Sequence, residues 1–232
     1  MKGYFITGTD TGVGKTMIAG ALARALARSG RRVGVMKPFE TGCTSRGDSL
    51  IPEDAVFLKE MSGCNEDIHR ICPYRLRHPL APLVAAAIEK VSIDIDRIKG
   101  IYLEMKKKYD VMLIEGAGGV MVPVAENLVT LDVIAMLNLP LLIVSRLSLG
   151  TINHTLLTVQ QAQSRGIDVS GIILNQVSPV KGLAEETNPE VLRKFSGVPL
   201  LGQMPFIEEH KRKDADYLAD CAAACMDFRL FS

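Results

Sequence analysis

The sequence carries almost no net charge. Its 27 Lys and Arg residues stand against 26 Asp and Glu, interspersed along 232 residues, for a formal charge of +1. That balance gives no electrostatic footprint for nucleic acid or an anionic membrane, so any binding of phosphate must be local. No apolar run approaches the length of a membrane span, and the N-terminus lacks the basic-then-apolar pattern of a secretion signal; the expectation is a cytoplasmic protein. The five cysteines (Cys43, Cys64, Cys72, Cys221, Cys225) form neither a Cys-x-x-Cys pair nor a zinc-site spacing and are read as thiols. His69 and Cys72 have no second pair to complete a metal site. Internal repeats, low-complexity tracts and linkers are missing too, so one domain spanning 1–232 is expected, long enough to bury a sizeable core.

What is present is a phosphate-binding loop. Gly8-Thr-Asp-Thr-Gly-Val-Gly-Lys-Thr16 follows a short apolar run at 4–6 and precedes a long Ala/Leu-rich helical pattern. Glycines let successive N–H groups point into one concavity, and the helix adds its positive N-terminal end. Lys15 is placed to neutralise the β- and γ-phosphates and the Thr16 hydroxyl to ligate Mg²⁺. Gly12, Val13, Gly14 and Met17 complete the nucleotide-binding residues expected here. The strict pattern wants glycine at position 9, with four residues between it and Gly14; the chain has Thr9 there and Gly8 one step earlier. This looks like a variant loop of the nucleotide-driven ligase and partitioning-ATPase kind.

The rest alternates strand and helix. A helix over 15–29 should cover a sheet face, and a strand over 32–37 should run parallel to the first because a helix joins them. Pro38 ends that strand, leaving Lys37 at a carboxyl end, where open α/β sheets place their ligands. Residues 38–52 read as a loop and 52–61 as a helix with Glu53 and Asp54 in its first turn, where acids ordinarily complement the dipole. Residues 71–82, with three prolines, read as irregular, followed by helices at 83–90 and 94–108; the basic end at 106–108 reads as solvated. The second informative stretch is 109–119. Four apolar residues predict a buried parallel strand, and Glu115 arrives at its end, placed to hold Mg²⁺ or its water shell. Gly116, Ala117 and Gly118 behind it let backbone approach phosphate. Helices at 130–138, 150–165, 188–196 and 214–227 then alternate with strands at 140–145, 171–175 and 199–205. The fold class is α/β, a doubly wound, mainly parallel sheet with helices on both faces.

Taken together, the loop Gly-Thr-Asp-Thr-x-Val-Gly-Lys-Thr, Lys37-Pro38 with Thr41-Gly42, the Glu-Gly-Ala-Gly-Gly of 115–119, the Leu-Gly-Thr-Ile-Asn-His of 149–154 and the Leu-Gly-Gln-Met-Pro of 201–205 resemble the dethiobiotin synthetase family. The resemblance runs in order over nearly the whole chain. It implies ATP- and Mg²⁺-dependent ring closure in biotin synthesis: diaminopelargonate is carbamylated by CO₂, the carbamate takes the γ-phosphoryl of ATP, and the second amine displaces phosphate. Lys15 and Lys37 are then the catalytic cations, and Thr16, Asp54 and Glu115 the metal-site residues. The resemblance further implies Thr11 and Thr41 at the diamine or its carbamate, and Asn175, Gln176, Met204, Pro205 and Phe206 around the adenine. The helix start at Gly150, Thr151, Ile152 and Asn153 is implied to receive the substrate carboxylate across a homodimer interface. Its free N–H groups suit an anion on physical grounds as well.

Two departures stand out. Many relatives carry an acid where this chain has Gly12, and some have Asn-Asp-Val where it has Asn175-Gln176-Val177. The rival class is a partitioning or scaffold ATPase. Those proteins carry a lysine at the place of Asp10 and often a basic surface or a terminal amphipathic helix, which this sequence lacks. Ligases with a glutamine-hydrolysing domain need more chain than is present.

Overall fold

Alternation along the strands decides the architecture. Strand β1 (Lys2–Gly8) sends Tyr4 and Ile6 to one side and Phe5 to the other, and all three are buried. A strand apolar on both faces must be covered on both. In the computed structural model, which describes residues 2–47 and 49–231, it is. The chain continues through α1 (Lys15–Arg28), β2 (Val33–Met36), β3 (Phe39–Thr41), β4 (Thr44–Arg46), β5 (Ser49–Ile51), α2 (Glu53–Ser62), α3 (Ile68–Ile71), β6 (Tyr74–Leu76), α4 (Pro82–Glu89) and α5 (Ile95–Met105). Then come β7 (Val111–Glu115), β8 (Pro123–Ala125), β9 (Leu128–Val129), α6 (Thr130–Leu137), β10 (Leu141–Arg146), α7 (Thr151–Ser164), β11 (Val169–Asn175), α8 (Leu183–Phe195), β12 (Leu200–Met204) and α9 (Ala215–Cys225).

The main sheet has six strands in the order β12-β11-β10-β1-β7-β2, every neighbouring pair parallel. Tyr4, Ile6, Val111, Leu113, Leu142 and Val144 pack with Ile18 and Leu22 of α1, Leu58 of α2 and Leu218 of α9. Phe5, Met112, Ile114, Leu141 and Ile143 pack on the other face with Ile98 of α5, Ile134 of α6, Val159 of α7 and Leu192 of α8. Each such fully buried Leu, Ile or Phe contributes about 1.5–3 kcal/mol relative to an exposed one. Among the described residues no helix is long and apolar enough to cross a membrane.

The expected α/β class holds, and the local differences have identifiable causes. The expected loop at 38–52 contains β3, β4 and β5, and the expected irregular stretch at 71–82 contains β6. Strand β3 pairs in parallel with β6, Glu40 opposite Arg75; a three-residue strand whose partner lies over thirty residues away leaves no local periodicity to read. A helix expected to begin at 188 begins at Leu183 and carries Pro189 in its interior. Its first turn is closed by Glu185, whose side chain accepts the Gly182 N–H at 2.9 Å. The basic end at 106–108 is solvated, Lys107 and Lys108 being exposed, and the Lys108 ammonium also donates to the buried Glu66 at 2.7 Å.

Candidate active site

Topology assembles the site. Because β7 lies between β1 and β2, its terminal Glu115 falls between the loop that follows β1 and the Lys37 that follows β2. The loop itself is held in shape by close packing. Gly12 and Gly14 take φ of +74° and +89°, the left-handed region that favours glycine. A Cβ on Gly14 would lie 2.2 Å from the Asn175 amide nitrogen. The unexpected glycine is explained in the same way: a Cβ on Gly8 would meet the Asp10 carbonyl at 2.7 Å and the Lys15 ammonium at 2.9 Å. Position 9 needs no glycine, because its N–H still bonds Val144 of β10 at 3.0 Å and its hydroxyl lies 3.1 Å from that of Ser145. Ser145 in turn reaches Thr151 at 2.7 Å and Thr155 at 2.8 Å, so buried hydroxyls tie the loop to the start of α7.

The charged centre is Lys37. It is 4% exposed, and its ammonium donates to Glu115 Oε1 at 2.6 Å and meets Asp54 Oδ2 at 2.9 Å. Burial alone would pull its pKa down, but the Glu115 and Asp54 carboxylates outweigh that and hold it above the ordinary lysine value, which favours the charged form. Glu115 is 1% exposed; its Oε1 also accepts the Thr16 hydroxyl at 2.8 Å, while Oε2 is buried with no partner among the described residues. Lys15 donates to the Asp10 carbonyl at 3.1 Å, and burial draws its pKa below the ordinary value against the opposing pull of Glu115.

A cavity of about 660 Å³ opens over these groups. Lys15, Thr16, Lys37, Asp54 and Glu115 line it, as do Gly12, Gly14, Gly116, Ala117 and Gly118 of the two glycine-rich segments, and Thr11 and Thr41. Val13 is buried beneath the loop and Met17 packs against the core from α1. Asn175, Gln176, Met204, Pro205 and Phe206 form a separate group at the ends of β11 and β12. Asn175 joins that group to the loop by donating to the Val13 carbonyl at 2.9 Å, with its own Oδ1 buried and without a partner among the described residues; the Gln176 N–H donates to the Met204 carbonyl at 3.0 Å. Gly150, at φ +93°, precedes α7 on the exposed side; Thr151 is turned inward to Ser145, while Asn153 is exposed. None of these four lines the cavity.

Two features were not legible as site residues. Glu40, 5% exposed, lines the cavity, and its two carboxylate oxygens accept the N–H groups of Asp54 and Ala55, each at 2.9 Å. Burial pushes its carboxyl up to about 7, with Lys37 opposing. Asp10, whose carboxylate accepts the Thr11 N–H at 2.7 Å, pairs with Arg146 from the end of β10.

The donor set fits a hard divalent cation. Among the described residues Glu115 Oε2 is a buried acceptor with no hydrogen-bond partner, while Glu115 Oε1 accepts the Thr16 hydroxyl and Lys37 links Glu115 to the Asp54 carboxylate. Mg²⁺ is a cation that takes one or two carboxylates and completes its shell with water and phosphate oxygens; among the described residues no three His, Cys, Asp or Glu side chains are placed to hold a metal alone.

A family model described as an AAA domain matches residues 2–214. The ATP-dependent dethiobiotin synthetase of Thermodesulfovibrio yellowstonii is 44% identical over 215 residues, covering 89% of this chain and 90% of its own. That of Bacillus subtilis is 41% identical over 205 residues, covering 88% and 87%. Among solved structures, the cell division ATPase MinD of Pyrococcus furiosus aligns with a TM-score of 0.60 over 97% of this chain and 99% of its own at 16% identity. A ParA family ATPase of Chlorobium tepidum aligns at 0.55, covering 96% and 92% with 16% identity. At such identities the structural likeness speaks for the fold alone. The fold, the loop and the extent of the sequence matches place the chain in the dethiobiotin synthetase family.

Proposed function

We propose that the protein is an ATP-dependent dethiobiotin synthetase acting on diaminopelargonate and CO₂, and that its reaction runs through a phosphorylated carbamate. The observation that carries this reading is the convergence of Lys15, Lys37 and Glu115 on one cavity beside a phosphate loop, in a chain 44% identical to a named member of that family.

A carbamate formed from one amine and CO₂ is a poor electrophile. Its oxygen attacks the γ-phosphorus of ATP, and the bond to the leaving ADP oxygen breaks. The second amine then attacks the carbamate carbon, phosphate departs with the former carbamate oxygen, and the amine proton is lost as the cyclic urea closes. Phosphoryl transfer depends mostly on positioning and charge neutralisation. Lys15 would hold the phosphates, and Lys37, fixed by two carboxylates, would stabilise the carbamate and the transferring oxygens. Thr11 and Thr41 line the same cavity and would contact the diamine.

Thr16, Asp54 and Glu115 would hold Mg²⁺. Two lysines stand against Asp54, Glu115 and Glu40, whose carboxyl is pushed up to about 7 and so is partly ionised near neutral pH, and the protein alone offers no excess positive charge to a triphosphate. When bound, the metal supplies that missing neutralisation at the phosphate oxygens. Asn175, Gln176, Met204, Pro205 and Phe206 would take the adenine, and the α7 start at Gly150–Asn153 the substrate carboxylate across a homodimer interface.

The test is phosphate release from ATP with Mg²⁺, with and without diaminopelargonate and bicarbonate. The proposal requires diamine-dependent release and one dethiobiotin per phosphate. Hydrolysis indifferent to the diamine and stimulated by DNA or lipid would instead point to a partitioning-type switch.

A further inference from the structure

Helix α2 has no cap of its own. Pro52 precedes it and supplies no side-chain hydrogen bond, although a Ser, Thr, Asp or Asn at that position would be the ordinary solution. Two of its first-turn N–H groups are satisfied from elsewhere. Those of Asp54 and Ala55 donate to the two carboxylate oxygens of Glu40, at 2.9 Å each. Glu40 lies on β3, three residues after Lys37, and β3 is anchored by its pairing with β6. One buried carboxylate thus joins the segment that carries Lys37 to the helix that carries Asp54, and the Lys37 ammonium closes the ring by meeting Asp54 Oδ2 at 2.9 Å. Two parallel hydrogen bonds fix both the height and the tilt of a helix end, and an anion at an N-terminus is favourable in itself. A cap delivered from β3 does what a local cap cannot: it makes the placement of Asp54 depend on the placement of Lys37.

We infer that Glu40 is a positioning residue for the reaction, holding the N-terminus of α2 so that Asp54 stands against Lys37 in the cavity. This rests on the roles proposed above for Lys37 and Asp54. Glu40→Gln keeps the size of the side chain but presents an amide N–H where a helix N–H must be accepted.

The experiment uses full-length protein and three variants: Glu40→Gln, Glu40→Gln combined with Pro52→Ser, and Asp54→Asn. It measures steady-state rates, the Mg²⁺ concentration that half-saturates binding of a fluorescent ATP analogue, and melting temperature. Displacement of Asp54 by a fraction of an ångström predicts that Glu40→Gln lowers kcat by about 10- to 100-fold with KM for ATP within about twofold. It also predicts a several-fold higher Mg²⁺ requirement for analogue binding. Pro52→Ser restores a local cap without the link to β3, so in the double variant stability should recover while kcat and the Mg²⁺ requirement do not. Recovery of both together would reduce Glu40 to an ordinary cap and overturn the inference. So would a Glu40→Gln enzyme with the unaltered kcat and Mg²⁺ requirement while Asp54→Asn shifts the latter. If Asp54→Asn leaves the Mg²⁺ requirement unchanged, the proposed role of Asp54 fails first, and the inference falls with it.

Discussion

Lys37 is a lysine that burial alone would tend to neutralise, kept charged by two acids and set against a cavity built for anions. That combination makes a strong prediction. Lys37→Ala leaves Glu115 buried without the cation that pairs with it directly, so the unliganded protein should lose about 3–5 kcal/mol of stability, as when one partner of a buried pair is removed. Turnover should fall by at least about 10²–10³-fold, the loss typical of one transition-state charge stabiliser, while ATP binding stays measurable. Denaturant unfolding and single-turnover assays check both parts; normal turnover would show that Lys37 is not catalytic. Lys37 was legible in the sequence because a strand reading that stops at a proline puts the preceding side chain at the sheet's ligand-binding edge. Glu115 was legible for the same reason. Glu40 was not, because its meaning lies in two hydrogen bonds to a helix fourteen and fifteen residues on, which no local pattern announces. Arg146 was likewise hidden in an apolar strand, and its partner Asp10 was read only as the absence of a lysine.

The phosphate loop was plain in the sequence, but its supports were not. Its shape depends on the end of β11, since Asn175 packs against Gly14 and bonds Val13, and on the end of β10, since Ser145 bonds Thr9 and Arg146 pairs with Asp10. Gly14→Ala tests this most simply. The left-handed φ of +89° and a Cβ 2.2 Å from Asn175 oppose any side chain, and we expect ATP affinity to fall by about 10-fold or more, with backbone strain of roughly 1–3 kcal/mol. Equilibrium nucleotide binding measures it, and unchanged affinity would mean that the loop has a second conformation that serves equally well. Gly12 is a different case. It shares the positive φ, yet a Cβ there meets nothing within 4 Å and the residue faces the cavity. An acid at this position would have room but a disfavoured backbone. The helices and main strands were readable from periodicity, whereas β3, β6 and the early start of α8 rest on distant pairing and a side-chain cap.

At the scale of the molecule, the strand order brings together what the chain keeps apart. The loop, Lys37 and Glu115 are separated by tens of residues, and placing β7 between β1 and β2 sets them side by side. A sequence reading reaches the alternation of strand and helix, but not the order of strands, which is decided by how two apolar sheet faces are covered at once. The charge balance of the cavity carries a prediction at this scale. Mg²⁺ with ATP at about 100 times its dissociation constant should stabilise the protein by about 2.7 kcal/mol through mass action. With EDTA in place of Mg²⁺, most of that gain should vanish, because triphosphate then meets Asp54, Glu115 and the partly ionised Glu40 with only two lysines. Thermal unfolding under the two conditions reads the difference, and equal stabilisation would remove the metal from the account.

The central claim is that the cavity between Lys15 and Lys37 phosphorylates a carbamate. It is tested most directly by supplying bicarbonate labelled with ¹⁸O, together with diaminopelargonate, ATP and Mg²⁺, and analysing the released phosphate by mass spectrometry. If the carbamate oxygen attacks the γ-phosphorus and leaves with it, each turnover should place one labelled oxygen in phosphate, less what exchanges with water beforehand. Phosphate carrying no label from bicarbonate, at undiminished dethiobiotin formation, would contradict the account.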